Sequence, residues 1–174
     1  MKRTLIVLLM TMAVFMVSAC ENGETIDFET REYALGLQTE ISHYRIGSVY
    51  ETDRESFGVI LTSFEAFEAY RQEMFDKAGE GFDDTPYGEY LDCFTPSYFE
   101  DNNLVILYVV ETSGANAHRV RDIQSDNDTL TIDIAREVPE VGTTDMAYWK
   151  IAIKGDKDTL DAQDVNMDFE TVDS

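Results

Sequence analysis

The sequence is poor in the residues that build most catalytic and metal centres. It has two cysteines, Cys20 and Cys93, and two histidines among its 174 residues. Two cysteines are too few for the several disulfides that hold small secreted scaffolds together, so the fold must rest on a hydrophobic core. The chain also lacks the G-x-S-x-G, H-E-x-x-H and glycine-rich phosphate-binding motifs. We therefore predict no catalytic residue, no cofactor and no metal centre.

Basic residues are scarce as well. Thirteen Lys and Arg stand against 35 Asp and Glu, which gives a formal net charge of −22. So acidic a chain is poorly suited to nucleic acid, because phosphates are bound by cationic side chains. The charge favours cations, basic partners or simply solubility.

The only long apolar run lies at the N-terminus. Lys2 and Arg3 precede an apolar stretch over residues 5–17 that only Thr11 interrupts. The stretch is too short to span a bilayer comfortably, which takes about 20 apolar residues. A positive start, an apolar core and small residues before a cysteine are typical of a signal peptide, which we predict over residues 1–19.

The sequence Val17-Ser18-Ala19-Cys20 resembles the lipobox of bacterial lipoprotein precursors. The resemblance implies a diacylglyceryl group on the sulfur of Cys20 and cleavage before that residue. Each buried CH₂ group contributes about 0.8 kcal/mol, so two acyl chains hold a soluble domain on a membrane where one would not. We expect a lipid-anchored protein that faces outside the cytoplasm, with residues 20–30 as a tether and residues 31–174 as one domain.

Loss of the signal peptide makes the protein more acidic still. Residues 1–19 contain two basic residues and no acidic one, so the mature chain has 11 basic and 35 acidic residues, a net charge of −24. Adsorption to anionic lipid through charge alone is therefore disfavoured.

Hydrophobic patterns in the body of the chain predict an α+β fold. Phe57, Val59 and Leu61 alternate with other residues, as in a strand. A capping box from Thr62 to Glu65 then opens a helix whose apolar residues recur at helical spacing. Five later segments have strand-like patterns, at residues 104–110, 119–124, 130–134, 147–153 and 165–169. Sequential strands with short connections favour a mainly antiparallel sheet, a meander with the amphipathic helix packed on it.

Three details of these strands are predictable. The segment 104–110 is apolar at nearly every position, which indicates a central strand covered on both faces. Val120 and Ile123 are out of phase, which indicates a β-bulge. Trp149 belongs to an apolar row, so we predict a core position for it and an outward position for Lys150.

The order of these elements resembles the PrcB-like domain of exported bacterial proteins. The resemblance rests on Phe-x-Asp-Asn-x-Leu-Val-x-Leu at residues 99–107, on the hinge Ser113-Gly114, and on the strands that follow. It covers roughly residues 57–155. The family's namesake is an accessory subunit that stabilises a surface protease. The resemblance therefore implies binding to another exported protein rather than catalysis.

The segment from Gly79 to Thr95 is long for a connection and rich in aromatic residues. We predict that Phe82, Tyr87 and Tyr90 contact a partner, because aromatic side chains dominate binding surfaces. The alternative is that the same rings fold back to cover a sheet edge or the end of the helix.

Two other functions stay open at the sequence level. Cys93 and His118, with Asp122 to orient the imidazole, have the residue types of a thiol-dependent hydrolase. Calcium is bound by clustered oxygen ligands. Candidate ligands for a calcium-binding surface module are Asp156, Asp158, Asp161 and Asp164, with further acidic residues at Asp83-Asp84 and Asp126-Asn127-Asp128.

Overall fold

The computed structural model describes residues 39–46, 55–80, 82–126 and 128–173. The predicted signal peptide, the lipobox cysteine and the tether lie outside these ranges. Within them the chain forms seven strands and three helices, so the predicted α+β class is confirmed. None of the helices in the described ranges is long and apolar enough to cross a membrane.

The strands divide between two sheets that we call sheet A and sheet B. The elements follow the order β1 (Glu40–Ile46), β2 (Phe57–Leu61), α1 (Phe64–Ala78), α2 (Pro86–Leu91), α3 (Tyr98–Asp101), β3 (Asn102–Glu111), β4 (Ala117–Asp126), β5 (Thr129–Val138), β6 (Ala147–Asp156) and β7 (Asp164–Asp173). Sheet A has the order β1-β6-β3-β2, and sheet B has the order β4-β5-β7. All pairings are antiparallel except β5 with β7, which is parallel.

The two sheets pack face to face over an aliphatic core. Trp149 is a core residue, as predicted. Most of the other large side chains of this core come from β3, β6 and β5, and they are Val105, Leu107, Val109, Ile151, Ile153, Leu130, Ile132 and Ile134. The chain leaves sheet A after β3 and returns to it at β6, an arrangement that the sequence did not predict. Strand alternation shows which side chains face inward, but it does not show which sheet a strand joins.

The three helices cover the opposite face of sheet A. Phe67, Tyr70 and Met74 of α1 pack there against the β3 side chains Leu104, Ile106 and Tyr108. Sheet A is thus covered on both faces, which confirms the prediction for the apolar strand β3. Lys150 lies under the helices and is fully buried, so its predicted outward position is wrong.

Helix α1 has well-defined ends. Its N-cap is Ser63, whose hydroxyl accepts a hydrogen bond from the Ala66 amide at 3.2 Å, so the cap lies one residue after the predicted Thr62. The helix ends at Gly79, which has a φ of 78° and donates its amide to the Phe75 carbonyl. Glycine is favoured at a positive φ because it has no Cβ.

The segment between α1 and β3 contains more helix than predicted. Thr85 caps α2 by accepting a hydrogen bond from the Gly88 amide at 3.0 Å, and Pro86 occupies the first turn. A capping residue followed by proline is a typical helix start, but a helix of six residues gives too little periodicity to be predicted. A third short helix, α3, begins at Tyr98.

Sheet B shows one confirmed irregularity and one unexpected pairing. The register of β4 with β5 shifts between Val120 and Asp122, which confirms the predicted bulge. The strand predicted at residues 165–169 is present as β7, but it runs parallel to β5.

Candidate functional site

The aromatic residues predicted to contact a partner are part of the core. Phe82, Tyr87 and Tyr90 are 0%, 2% and 5% exposed. The hydroxyl groups of Tyr70 and Tyr87 are 2.7 Å apart and share a buried hydrogen bond. Burial, together with the neighbouring Tyr70, raises the pKa of Tyr87. Side chains this buried cannot contact a partner without local unfolding, so the contact prediction is contradicted and the rings fold back under the helices instead.

Lys150 explains much of this aromatic cluster. Its ammonium lies 4.8 Å from the ring centroid of Tyr108 and 5.6 Å from those of Phe57 and Tyr70. A cation over desolvated rings contributes about 2 kcal/mol or more, so the rings stabilise a charge in an otherwise apolar layer. The cluster between helices and sheet A is therefore structural.

The residues proposed for a thiol hydrolase do not meet. The Sγ atom of Cys93 lies 3.7 Å from the Glu89 carbonyl oxygen, on the helix-covered side of sheet A. His118 is buried between the two sheets, where its ring meets that of Trp149 edge-on. The carboxylate of Asp122 accepts hydrogen bonds from the Ile123 amide and from the Gln124 side chain. Sheet A separates the two proposed partners, and this geometry does not support the hydrolase alternative.

Glu111 is the centre of a buried polar cluster at the end of the two sheets. It is 2% exposed, yet three side chains bond to its carboxylate. Nε2 of His118 lies 2.7 Å from Oε1, Nδ2 of Asn116 donates to Oε2 at 2.8 Å, and Nε of Arg136 donates to Oε1 at 2.6 Å. Burial alone would raise the pKa of Glu111, but these bonds and the charge of His118 lower it. A carboxylate held by three partners is compensated rather than poised to take a proton.

His43 adjoins this cluster from β1. Burial, and then the charge of His118, lowers the pKa of His43 from 6.5 to about 4. Nδ1 of His118 is buried and has no hydrogen-bond partner among the described residues. Sequence reasoning missed the cluster, although one signal was present: Glu111 is a charged residue at the end of the apolar run of β3.

The acidic tract near the C-terminus does not form a calcium cage in the described residues. Asp156 makes a turn in which its carbonyl accepts the amides of Thr159 and Leu160. Asp158 and Asp161 are exposed. Across the described ranges, no group of three or more acidic, histidine or cysteine side chains converges as metal ligands would. Asp83, from another acidic stretch, instead pairs with Arg71.

An open cleft lies between β2 of sheet A and β7 of sheet B. Its volume is about 560 Å³. The residues that line it come from both edge strands and their flanks, and they are Ser56, Phe57, Gly58, Val59, Ile60, Gln163, Asp164, Val165, Asn166, Met167 and Phe169. Within the described residues β2 pairs only with β3, and β7 pairs only with β5. Two strand edges therefore flank the cleft.

Gly58 brings these two edges close together. A Cβ atom at this position would lie 2.7 Å from Cγ1 of Val165, which is closer than side chains tolerate. Glycine inside a strand often marks such a close approach between backbones. The two strands that form the cleft are about 100 residues apart in the sequence, so no local pattern predicts that they meet. A glycine inside a strand, Gly58, is the one sequence signal for the cleft.

The two sides of β7 differ in chemistry. Its inward side chains Val165, Met167 and Phe169 pack on the core between the sheets. Its outward side chains are exposed and mostly acidic, namely Asp164, Asn166, Asp168 and Glu170. The strand thus combines an apolar and an anionic side along one edge of the cleft.

No family model, no curated protein and no solved structure matches this chain. The resemblance to the PrcB-like domain stays a prediction, and the geometry of the described residues carries the functional argument.

Proposed function

We propose that this protein is a lipid-anchored, exported lipoprotein whose domain binds another exported protein and catalyses no reaction. The observation that carries the binding part is the cleft between β2 and β7. The anchor rests on the sequence of residues 1–20. The acidic surface supports a partner with basic groups.

The cleft has the properties of a recognition site. Its volume of about 560 Å³ lies within the 300–1,000 Å³ that is typical of ligand sites. Its apolar lining residues are half-buried, and they are combined with a few exposed polar ones, such as Gln163 and Asn166. Unpaired strand edges also offer main-chain hydrogen-bonding groups, which many domains use to bind an extended segment of another protein.

The residues that suggested catalysis, Cys93, His118 and Asp122, do not line the cleft. The buried carboxylate of Glu111 is bonded to three side chains, and Glu111 does not line the cleft either. Binding is therefore the function that the cleft supports best.

Site-specific crosslinking tests the binding part. A photoreactive residue at Gln163, which lines the cleft, is expected to give a crosslinked product with an exported protein in cells that make this lipoprotein. The same residue at Gln124, exposed on β4 away from the cleft, is the matched control and should give none. Asn166→Trp, which fills the cleft from an exposed position, should abolish the product at Gln163. Equal products at both positions, no product at Gln163, or a product that survives Asn166→Trp would contradict the proposal.

The mass of the mature protein tests the anchor. We expect cleavage before Cys20 and a diacylglyceryl group on its sulfur, with Cys20→Ala blocking both and releasing the protein from membranes. The sulfur of Cys20 can form a thioether to the diacylglyceryl group or a disulfide, but not both. Recovery of Cys20 without lipid, or joined to Cys93 in a disulfide, would therefore contradict the anchor while leaving the cleft as a binding site.

A further inference from the structure

We infer that the cleft receives an extended segment in which basic residues alternate with apolar ones, and that this segment adds as a strand to the free edge of β7. The inference rests on the proposed function, because it names the chemistry of the partner at the same cleft.

The free edge of β7 is the geometric basis. β7 runs for ten residues, and β5 is its only strand partner within the described residues. Its other side faces the cleft. A strand that adds to such an edge bonds main chain to main chain at a spacing of about 4.8 Å, so affinity comes from the backbone and selectivity from the side chains.

The side chains of β7 determine which sequence fits. Successive residues of an added strand point alternately inward and outward, as those of β7 do. Its inward residues would lie beside Val165, Met167 and Phe169 and should be apolar. Its outward residues would lie beside Asp164 and Asp168 and should be basic, since opposite charges on neighbouring strands attract.

Asp168 is the position where a basic residue gains most. Its register partner on β5 is Asp133, and the partner of Asp133 on β4 is Asp122. Three acidic residues therefore lie in one row across sheet B, and like charges in register destabilise a sheet. Asp168 accepts a hydrogen bond from the side-chain amide of Asn166 but has no ion pair with a described residue. A Lys or Arg on an added strand would place a positive charge next to this row of three acidic residues.

Several other charges on edge strands are already compensated. On β4, Arg119 pairs with Glu137, and Arg121 pairs with Glu170 of β7. On β1, Arg45 pairs with Asp145. Charge complementarity thus singles out the part of β7 around Asp164 and Asp168. Asp164 lines the cleft, and Asp168 lies between the lining residues Met167 and Phe169.

Synthetic peptides test the inference. The probe is acetyl-Lys-Val-Lys-Val-Lys-Val-Lys-amide with a fluorescent label, and its affinity is measured by anisotropy. The protein is the full mature chain, held by its lipid in phosphatidylcholine nanodiscs at 0.15 M salt. Two comparison peptides are a permuted one, with the four lysines contiguous, and one with glutamate in place of lysine. A third is the alternating peptide with alternate amides N-methylated, which removes the donors along one edge.

We expect the alternating peptide to bind at least ten-fold tighter than the permuted and N-methylated peptides, and the glutamate peptide not to bind. Asp168→Asn should weaken binding by about two- to five-fold, the contribution of one cross-strand charge pair. Asp158→Asn removes the same charge from an exposed turn and is the matched control without effect.

Each contrary result has a definite meaning. Equal affinity for the permuted peptide would show adsorption to an acidic surface, and equal affinity for the N-methylated peptide would exclude strand addition. Either result overturns the inference. A crosslink at Gln163 that persists alongside such a result would leave the proposed function standing with a different occupant, whereas loss of that crosslink overturns both.

Discussion

Sheet A and sheet B differ in how they are covered. Sheet A is covered by sheet B on one face and by the helices on the other, whereas the outer face of sheet B carries exposed residues such as Asp168 and Glu170. The charged groups inside sheet A, Lys150 and Glu111, are surrounded by rings or by hydrogen-bond partners. The acidic residues of sheet B include neighbours of like charge in register.

This difference indicates a division of roles. Residues of sheet A should contribute most to stability, because removing them leaves cavities or uncompensated charges. Residues on the outer face and free edge of sheet B should contribute little to stability and more to binding. The following predictions test that division, from the largest expected effect to the smallest.

Trp149→Ala should have the largest effect. The indole fills the space between the sheets, and truncation of a buried tryptophan typically costs about 3–5 kcal/mol of unfolding free energy. Urea denaturation measures the change, with Met146→Ala, at an exposed position, as the control. An unchanged midpoint for Trp149→Ala would show that the core between the sheets is misassigned.

Glu111→Gln should cause the second largest loss of unfolding free energy. The change keeps the shape of the side chain but leaves His118 and Arg136 without their anionic partner, and breaking a buried pair typically costs about 3–5 kcal/mol. Glu137→Gln removes a carboxylate that pairs with Arg119 at the surface, where such pairs contribute about 1 kcal/mol or less. If both variants lost the same unfolding free energy, the buried cluster around Glu111 would contribute no more to stability than an ion pair on the surface of sheet B.

Stability should fall as the pH falls from 6.5 towards 4. The pKa of His43 is lowered to about 4, so in this window the unfolded chain binds a proton that the folded chain does not. The loss from this group alone reaches about 3 kcal/mol at the acidic end. The lowered pKa of Glu111 acts in the same direction at still lower pH. Denaturation at several pH values measures the slope, and His43→Leu should flatten it. A constant unfolding free energy between pH 6.5 and 4.5 would contradict a half-buried His43 imidazole that stays neutral in the folded protein.

Asp133→Asn should have the smallest effect and the opposite sign. Asp133 lies between Asp122 and Asp168 in register, so neutralising it relieves two like-charge contacts. We expect stabilisation within about 0.5 kcal/mol, the usual limit for surface changes. High salt should reduce the gain by screening. A decrease of more than about 1 kcal/mol in the free energy of unfolding would show that the outer face of sheet B is as sensitive to substitution as the interior.

Much of the local structure could be predicted from the sequence. Helix α1, the doubly covered strand β3, the bulge near Asp122 and the core position of Trp149 all follow from patterns within short segments. Such patterns report the direction of a side chain relative to its neighbours. They do not show what covers each face of a sheet. Strand alternation therefore predicts an outward position for Lys150, although the helices bury it.

Most of the candidate site could not be predicted from the sequence. Phe82, Tyr87 and Tyr90 have the composition of a binding surface, but the same composition builds an aromatic core when a sheet lies beneath it. The cleft depends on β2 and β7 meeting at the open side of two sheets, and no local pattern encodes that meeting. The glycine at position 58 was visible, but its significance depends on Val165.

The burial of Lys150 makes it a reporter for opening of the helix layer. An amine-reactive reagent can modify this side chain only after the helices lift from sheet A, while a partly exposed amine such as that of Lys157 reacts directly. The ratio of the two labelling rates therefore measures how often the layer opens in the folded protein. Peptide mass spectrometry can follow both lysines in one sample, without any substitution in the chain.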